Sequence, residues 1–341
     1  MKTDAVEAAE NDASRRVLII FPGALGDLIC LLPAMRAIAR RHRDSSIDLM
    51  ARAELARLVV ERIDFADAGA RHSRAPSRAH SIDRREVSDL FRASREFGIE
   101  NDTDIDVDID ASTREFFGQF DAIYSFFAAD DANFRRRLSQ ACGRRVTFHP
   151  FRPSGEGHVA TGYLRAILGS SSAGAELVAH DARLELRRED LESASARLAA
   201  LGIDPGNFVA IFPGSGSAAK NWPVEKFAAL ATMLAGRAVF VHGPAEAALE
   251  SALAAHRSAT LRALELGTVA GIARLAAAFV GNDSGVSHLA AAAGACGVVL
   301  FGPTDPARWR PLGKIAVIRR EPIASIEPAE VYAAICALSV E

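Results

Sequence analysis

The chain has 341 residues, of which 49% are hydrophobic and 24% are charged, and its formal net charge is −3. This length predicts two domains of ordinary size, and the composition excludes a largely disordered chain. Because 40 basic side chains nearly balance 43 acidic ones, a general nucleic-acid binder is excluded as well. The four cysteines lie far apart without a C-x-x-C pair, which excludes a disulfide scaffold or cysteine zinc site and suits a reducing compartment.

No segment of the sequence has the pattern of a membrane-targeting element. Residues 1–14 are acidic and lack an apolar core, so they are not expected to form a signal peptide. The most apolar stretch, 286–301, is short and contains His288 and several glycines, so it is not expected to span a bilayer. We therefore expect a cytoplasmic protein.

Two segments of the chain begin in the same way. The apolar run 17–21 precedes a glycine-rich turn and a helical pattern over 28–41, and the run 208–212 precedes a second such turn and a helical pattern from Pro223. Fully apolar runs that lead into helices are typical of buried parallel strands. The sequence therefore predicts two α/β units with doubly wound parallel sheets.

The region between these two segments has fewer signals. The arginine-rich stretch 71–85 has no apolar period and predicts an exposed loop, while 102–110 alternates acidic and aliphatic residues. This alternation favours a strand with one face in water over a calcium site, because an EF-hand loop needs a glycine and a final glutamate that are absent. Prolines and glycines cluster at 150–157 and predict a boundary between domains at 1–157 and 158–341.

The second half alternates clearly between strand and helix patterns. The predicted strands are 208–212, 238–242, 278–281 and 297–301, and the predicted helices are 223–235, 245–256, 270–277 and 286–293. A last helix at about 328–338 follows Pro322, and we expect it to pack away from the second sheet and back on the N-terminal domain.

The first glycine-rich turn, 22–27, ends a strand and opens a helix. Gly23 and Gly26 permit a tight turn and the close approach of a ligand to the N–H groups of the helix start. Asp27 lies where the helix is expected to begin. It can cap the helix or accept a proton from a substrate hydroxyl, and both roles stay open at this point.

The second turn, 213–220, combines glycines, two serines and a lysine in a chain that has only four lysines among its 40 basic residues. Such a loop can hold a phosphate through N–H groups, hydroxyls and one ammonium, although a plain surface loop is the alternative. It fails as a dinucleotide fingerprint, because Pro223 delays the helix and the next strand ends in His242 rather than an acid. It fails as a Walker A loop, because Ala219 precedes Lys220. A nicotinamide-dependent dehydrogenase is therefore disfavoured.

A third polar turn, 281–288, leads from a strand into a helix. Asp283 and Ser284 are either helix caps or ligand-binding groups, and His288 faces either the same site or the core. The next strand leads into 302–309, which carries a hydroxyl, an acid and an arginine. These loops follow strands of one sheet and predict a ligand site at its carboxyl edge. No cluster with metal-ligand spacing is present in the sequence, so we expect Lys220 and helix starts to stabilise phosphate charge.

Four motifs in this order resemble the bacterial glycosyltransferase family 9, the ADP-heptose:lipopolysaccharide heptosyltransferases. They are RVLIIFPGALGDL at 16–28 with LPA at 32–34, FPGSG at 212–216 with KNWP at 220–223, GPAE at 243–246, and GNDSGVSH at 281–288 with FGPTDPARW at 301–309. The motifs span almost the whole chain.

The resemblance implies a GT-B fold, in which two Rossmann-like domains face each other across a cleft, and an inverting transfer without metal or cofactor. It implies that Asp27 is the base for the acceptor hydroxyl, with Gly23 and Gly26 in the acceptor-side loop. The residues that match donor-diphosphate positions are Ser215, Gly216, Ser217, Lys220, Ser284 and Gly285. Those that match positions around the donor nucleoside and sugar are Glu246, Asp283 and His288.

The implied partners are a nucleotide-sugar donor and a lipid-linked saccharide acceptor, which would bring the protein to the cytoplasmic face of the inner membrane. Segment 121–130 lacks the Gln-Gly and basic-Ser segment usual in lipopolysaccharide members, so the acceptor stays open. We expect the stretch 71–85 and the run 135–137 to be solvated, with acidic lipid head groups as the alternative. A nucleotide-sugar epimerase and a non-catalytic nucleotide-sugar-binding paralogue are the alternative functions, and Asp27 argues against the latter.

Overall fold

The computed structural model describes residues 15–65, 77–92, 109–169, 182–243 and 259–338. These residues form two compact units. The first unit contains described residues up to Gly23, then Met35–Val60 and those from Phe65 to Pro153, and the second contains Ala24–Ala34, Glu61–Asp64 and those from Ser154 onward. Two short segments, Ala24–Ala34 and Glu61–Asp64, therefore belong to the second unit although they precede the domain boundary at residue 157 that the sequence predicts.

The first unit is built on a five-stranded parallel sheet with the strand order β3-β2-β1-β4-β5. Its strands are β1 (Arg15–Ile20), β2 (Ser45–Ala51), β3 (Ala79–Ser81), β4 (Ala122–Ser125) and β5 (Arg145–Phe148). The helices of this part of the chain are α1 (Leu25–Arg41), α2 (Ala53–Val60), α3 (Arg85–Asp89), α4 (Ala111–Gly118) and α5 (Ala132–Cys142). The start of α1, up to Ala34, belongs to the second unit.

The second unit contains a six-stranded parallel sheet with the order β11-β10-β9-β6-β7-β8. Its strands are β6 (Val209–Phe212), β7 (Ala238–His242), β8 (Ala259–Arg262), β9 (Ala278–Asn282), β10 (Gly297–Phe301) and β11 (Ile315–Arg319). Its described helices are α6 (Val159–Leu168), α7 (Arg188–Ala199), α8 (Val224–Met233), α9 (Leu266–Leu275), α10 (Gly285–Ala292), α11 (Pro306–Trp309) and α12 (Pro328–Leu338).

The second sheet is buried on both faces, as the continuous apolar strands predict. Along β6, Val209 and Ile211 face a core that α8 and α12 cover. Ala210 and Phe212 face the opposite core, which α7 and α9 cover. The chain leaves β6 toward β7 on one side and later returns to place β9 on the other side. Ligands of doubly wound sheets bind beside such a reversal, at the carboxyl ends of the strands.

The strand predictions for the second half are confirmed to within one residue, whereas two helix boundaries differ. Helix α8 begins at Val224 with Pro223 as its N-cap residue, so Pro223 is not the first helical residue. Helix α9 begins at Leu266 rather than at 270. The first turn of this helix contains Gly267, a residue type that indicates the end of a helix in a sequence pattern. A Cβ on Gly267 would lie 2.2 Å from Asp190 Oδ1, so the glycine permits close packing on α7. The predicted helix 245–256 lies outside the described residues.

The prediction for the last helix is wrong. Helix α12 buries Val331 and Ile335 in the core of the second sheet, together with Val298 and Leu300 of β10. The apolar residues of α12 thus share with α8 the covering of this sheet face. The helix therefore packs on the second sheet and not away from it.

Two expectations for the first half also change, and a third lies almost wholly outside the described residues. Within 71–85, residues 71–76 lie outside the described part, but 79–81 form the edge strand β3, paired with β2 through Leu49 and Ala79. Of 102–110, residues 102–108 are outside the described part, and Asp110 is the N-cap residue of α4. In the run 135–137, Arg137 is buried with its Nη2 3.4 Å from Asp89 Oδ1, because the helix turns this position inward.

Among the described residues, no helix is long and apolar enough to cross a membrane.

Candidate functional site

Three loops leave the carboxyl ends of neighbouring strands in the second unit. They follow β6, β9 and β10, which are adjacent in the sheet order, and they contain residues 213–223, 283–284 and 302–305. Because parallel strands end at one edge, these loops bring the predicted donor-binding residues of the second and third turns together.

The loop after β6 is exposed at its tip and ordered by its own polar groups. Gly216 and Ser217 are exposed, and Ala218–Lys220 form a single 3₁₀ turn. Ser215 Oγ lies 2.7 Å from Asn221 Oδ1 and 2.8 Å from the carbonyl oxygen of Ser217. Four of the predicted diphosphate-binding residues, Ser215, Gly216, Ser217 and Lys220, thus lie on one short loop with an exposed tip.

Asn282 fixes both ends of this loop and was not singled out from the sequence. The side chain is fully buried at the end of β9. Its Nδ2 donates to the carbonyl oxygen of Pro213 at 2.8 Å, and its Oδ1 accepts from the N–H of Trp222 at 3.1 Å. A buried amide that bonds to backbone at two points costs little to bury and gives a defined loop shape. An asparagine that ends an apolar strand is the sequence signal that could have identified it.

Asp283 and Lys220 form the central charge pair of the site. Lys220 Nζ lies 2.7 Å from Asp283 Oδ2, and the hydroxyl of Thr304 donates to the same oxygen at 2.7 Å. Asp283 is 7% exposed, whereas the lysine side chain is 30% exposed. The carboxylate therefore joins all three loops, and the ammonium lies at the boundary with solvent.

The start of α10 is shaped by small residues. Ser284 is the N-cap residue, and its side chain accepts a hydrogen bond from the N–H of Ser287. Ser287 Oγ in turn donates to the carbonyl oxygen of Asn282 at 2.7 Å. A Cβ on Gly281 would lie 2.5 Å from that hydroxyl, so the turn requires glycine there. The N–H groups of this helix start point to the carboxyl edge of the sheet, where an anion is favoured.

The first turn of α1, which carries Asp27, lies against the first turn of α10. A Cβ on Gly285 would be 3.0 Å from Leu25 Cβ and 3.1 Å from the N atom of Gly26. Asp27 is 8% exposed and is the third residue of α1, so it is not the N-cap residue that the sequence pattern allowed. Gly23 is buried in the turn before the helix, as the last residue of its segment of the first unit. The structure therefore brings Asp27, Gly26 and Gly285 together.

His288 is buried beneath this contact. Its Nδ1 lies 3.6 Å from Cys30 Sγ, and the ring also makes a hydrogen bond with the backbone of Trp309. Burial lowers the pKa of His288 to about 4, although nearby Asp283 acts in the opposite direction. Burial, reinforced by the carboxylates of Asp27 and Asp283, raises the pKa of the Cys30 thiol. Both side chains are therefore neutral near pH 7.

Glu246 lies outside the described residues. Within the described ranges, no group of three or more His, Cys, Asp or Glu side chains is arranged to hold a metal ion.

A scan against family models matches residues 172–330 to glycosyltransferase family 9 (heptosyltransferase). Residues 172–330 belong to glycosyltransferase family 9. The family resemblance of the motifs is thus confirmed, and the protein is a glycosyltransferase. The matched range includes the second, third and fourth motifs, whereas Asp27 and its turn precede it.

Solved structures of similar fold match nearly the whole chain. A glycosyl transferase family 9 from Veillonella parvula DSM 2008 has a TM-score of 0.72 at 17% identity, over 96% of this chain and 97% of that one. The E. coli ADP-heptose lps heptosyltransferase II has a TM-score of 0.70 at 18% identity, over 95% and 98%. E. coli heptosyltransferase WaaC with ADP has a TM-score of 0.63 at 21% identity, over 95% and 99%. These similarities show the GT-B fold. No curated protein matches the chain significantly.

Proposed function

We propose that this family 9 protein transfers a heptose from ADP-heptose, with inversion and without a metal ion, to a lipopolysaccharide-core or other cell-envelope saccharide. The single observation that carries the proposal is that the helix turn carrying Asp27 contacts the start of α10, which follows directly on Asp283, the ion-pair partner of Lys220. The match to the heptosyltransferase family, and the similarity in fold to an E. coli ADP-heptose lps heptosyltransferase II and to E. coli heptosyltransferase WaaC with ADP, support the choice of donor and acceptor.

The donor diphosphate needs groups that stabilise negative charge, and more so as it leaves. The N–H groups at the start of α10, the hydroxyl of the exposed Ser217 and the ammonium of Lys220 offer such groups along one sheet edge, whereas the Ser215 hydroxyl shapes the loop through its bonds to Ser217 and Asn221. Donors that are already oriented stabilise developing charge without reorganisation. We propose that they act where a divalent cation acts in metal-dependent transferases.

Asp27 supplies the acid–base chemistry in this proposal. The acceptor oxygen attacks the anomeric carbon from the face opposite the diphosphate, the bond from that carbon to the diphosphate oxygen breaks, and the hydroxyl proton passes to the Asp27 carboxylate. The diphosphate leaves with the electron pair of the broken bond. A single displacement of this kind inverts the anomeric centre.

The proposed acceptor would determine where in the cell the enzyme acts. A lipid-linked saccharide would hold the enzyme at the cytoplasmic face of the inner membrane while the reaction proceeds. Arg135 and Arg136 are exposed and are the members of the run 135–137 that could face acidic head groups.

Asp27→Asn tests the function directly. The amide cannot accept the proton, so we expect kcat with ADP-heptose and a heptose-accepting core saccharide to fall at least about a thousandfold. The dissociation constant for the donor should stay within about threefold, measured by calorimetry. Asp44→Asn, an exposed acid just after α1, is the control and should leave both values unchanged.

Three outcomes would contradict parts of the proposal. Full turnover by Asp27→Asn would remove Asp27 from the chemistry. Isomerised sugar formed from donor alone would indicate the epimerase alternative. Loss of turnover after exhaustive treatment with EDTA, restored by a divalent cation, would show that the transfer depends on a metal.

A further inference from the structure

The helices α1 and α10 are joined one turn beyond their starts by a pair of buried polar side chains. Cys30 follows Asp27 by three residues on α1, and His288 follows Gly285 by three residues on α10. Residues three apart on a helix lie on the same face, so the Cys30–His288 contact and the glycine contact lie on one interface. The 3.6 Å distance between Cys30 Sγ and His288 Nδ1 is within hydrogen-bond range for sulfur.

The chemistry of the two side chains determines which of them donates the hydrogen bond. A neutral imidazole has one N–H donor and one acceptor nitrogen, and a thiol is a weak donor. The backbone of Trp309 is hydrogen-bonded to the ring, and a carbonyl can only accept. The ring therefore donates to Trp309 through one nitrogen and accepts the Cys30 S–H at Nδ1. Both ring nitrogens are occupied within the protein.

His288 also lies between the turn that carries Asp27, the proposed base, and the loops that are proposed to bind the donor. Trp309 ends α11, which follows Thr304, and the Thr304 hydroxyl donates to Asp283 at 2.7 Å. A Cβ on Gly26, next to Asp27, would lie 3.2 Å from His288 Cδ2. The ring is therefore packed between the backbone that carries Asp27 and the segment that reaches Asp283.

We propose that His288 and Cys30 are positioning residues that, through their mutual hydrogen bond, set the direction of the Asp27 carboxylate relative to the start of α10. This inference rests on the proposed function, because it assumes that Asp27 is the base and that the donor diphosphate binds at α10. It differs from the sequence expectation that His288 contacts the donor sugar. Misplacement of a reacting group by about 1 Å can lower a rate about a hundredfold, so a modest tilt of α1 has a measurable effect.

A double-mutant cycle of Cys30→Ala and His288→Ala tests the pair. We expect each single variant to lower kcat about 10- to 100-fold while the donor dissociation constant stays within about threefold. The double variant should be no slower than the slower single one, because the hydrogen bond is already lost. Multiplying effects, unchanged kcat in the singles, or weakened donor binding with unchanged kcat would overturn the proposal.

Cys142→Ala is the matched control, since Cys142 is a buried cysteine whose Sγ lies 3.6 Å from the carbonyl oxygen of Phe120 in the first unit. It removes the same atom and should lower the melting temperature without changing kcat. An equal loss of kcat in this control would show that the Cys30 effect is one of stability.

A spectroscopic measurement keeps the proposal testable should His288→Ala fail to fold. In the wild-type protein at pH 7, the ¹⁵N shift of His288 Nδ1 should be that of an unprotonated acceptor, and it should move in Cys30→Ala. A protonated Nδ1 would overturn the assignment. The failures of the two proposals can be told apart. Full turnover by Asp27→Asn contradicts the proposed function. Loss of turnover in Asp27→Asn, together with unchanged kcat in folded Cys30→Ala and His288→Ala, contradicts the positioning role alone.

Discussion

Lys220 and Asp283 are 63 residues apart in the chain and 2.7 Å apart in the structure, between Nζ and Oδ2. The pair connects the loop after β6 with the loop after β9. Because the carboxylate is buried and the ammonium is partly exposed, the lysine retains access to a ligand while Asp283 fixes its direction. In the proposed function, the ammonium of Lys220 is the member of this pair that would contact the donor diphosphate.

Lys220→Ala should weaken the binding of ADP about 10- to 100-fold, because a charge-assisted hydrogen bond to phosphate is worth roughly 1.5–3 kcal/mol. Calorimetric titration with ADP measures it. Lys314→Ala, at an exposed lysine before β11, serves as the control and should bind ADP normally. Unchanged ADP affinity in Lys220→Ala would contradict the diphosphate role of the loop.

Gly285→Ala should impair catalysis more than folding. The new Cβ would meet Leu25 and the N atom of Gly26 at 3.0 and 3.1 Å, so the first turns of α1 and α10 must separate. We expect kcat to fall at least about tenfold, from the displacement of Asp27. Gly118→Ala, in α4 with its nearest contact at 3.7 Å, should retain full activity. Equal activity in the two variants would show that this contact does not matter for the reaction.

Acid should destabilise the protein through its buried histidines. The pKa of His288 falls from 6.5 to about 4 on folding, so the unfolded chain binds more protons between these values. The free energy of unfolding therefore decreases as pH falls from 6.5 toward 4, by about 3 kcal/mol for this residue. Burial also lowers the pKa of His42, His149 and His158, which adds to the same trend.

Urea unfolding at pH 7 and at pH 4.5 measures this effect. His288→Gln removes the titrating group, so its stability should change less between the two pH values than that of the wild type. An identical change in both proteins would show that His288 is not the neutral, buried group described above.

Arg62→Ala should destabilise the second unit by about 3–5 kcal/mol, because it removes both guanidinium hydrogen bonds of a buried carboxylate and leaves it only its contacts with Arg187. Arg62 donates to both carboxylate oxygens of Asp190 at 2.7 and 2.6 Å, and both side chains are 5% exposed. Arg188→Ala removes an exposed arginine paired with Glu192 and should cost less than about 0.5 kcal/mol. Denaturant unfolding compares them, and similar losses would contradict the importance of burial.

The features that follow from local pattern were predicted well. The apolar strands 208–212, 238–242, 278–281 and 297–301 are near their predicted bounds, because a buried parallel strand has a short, uninterrupted apolar run. The glycine-rich turns also lie at the carboxyl ends of strands, as predicted. These signals need no knowledge of distant contacts.

The features that depend on distant contacts were not predictable. Gly267 looks like a helix breaker in sequence, yet it is where α9 approaches Asp190. The contact between Cys30 and His288 spans 258 positions, and neither residue type indicates the other. Asn282 was passed over because its two backbone partners exist only once the loop is folded.

The two hydrogen bonds of Asn282 have a consequence for how this site can change. They hold the backbone at Pro213 and at Trp222, while the loop tip between these points is exposed. Replacements at the tip would alter the hydroxyls and the shape offered to a nucleotide without disturbing the strands below. If the proposed function holds, this loop tip is therefore the segment to vary when donor preference is redesigned, and Asn282 is the residue to keep.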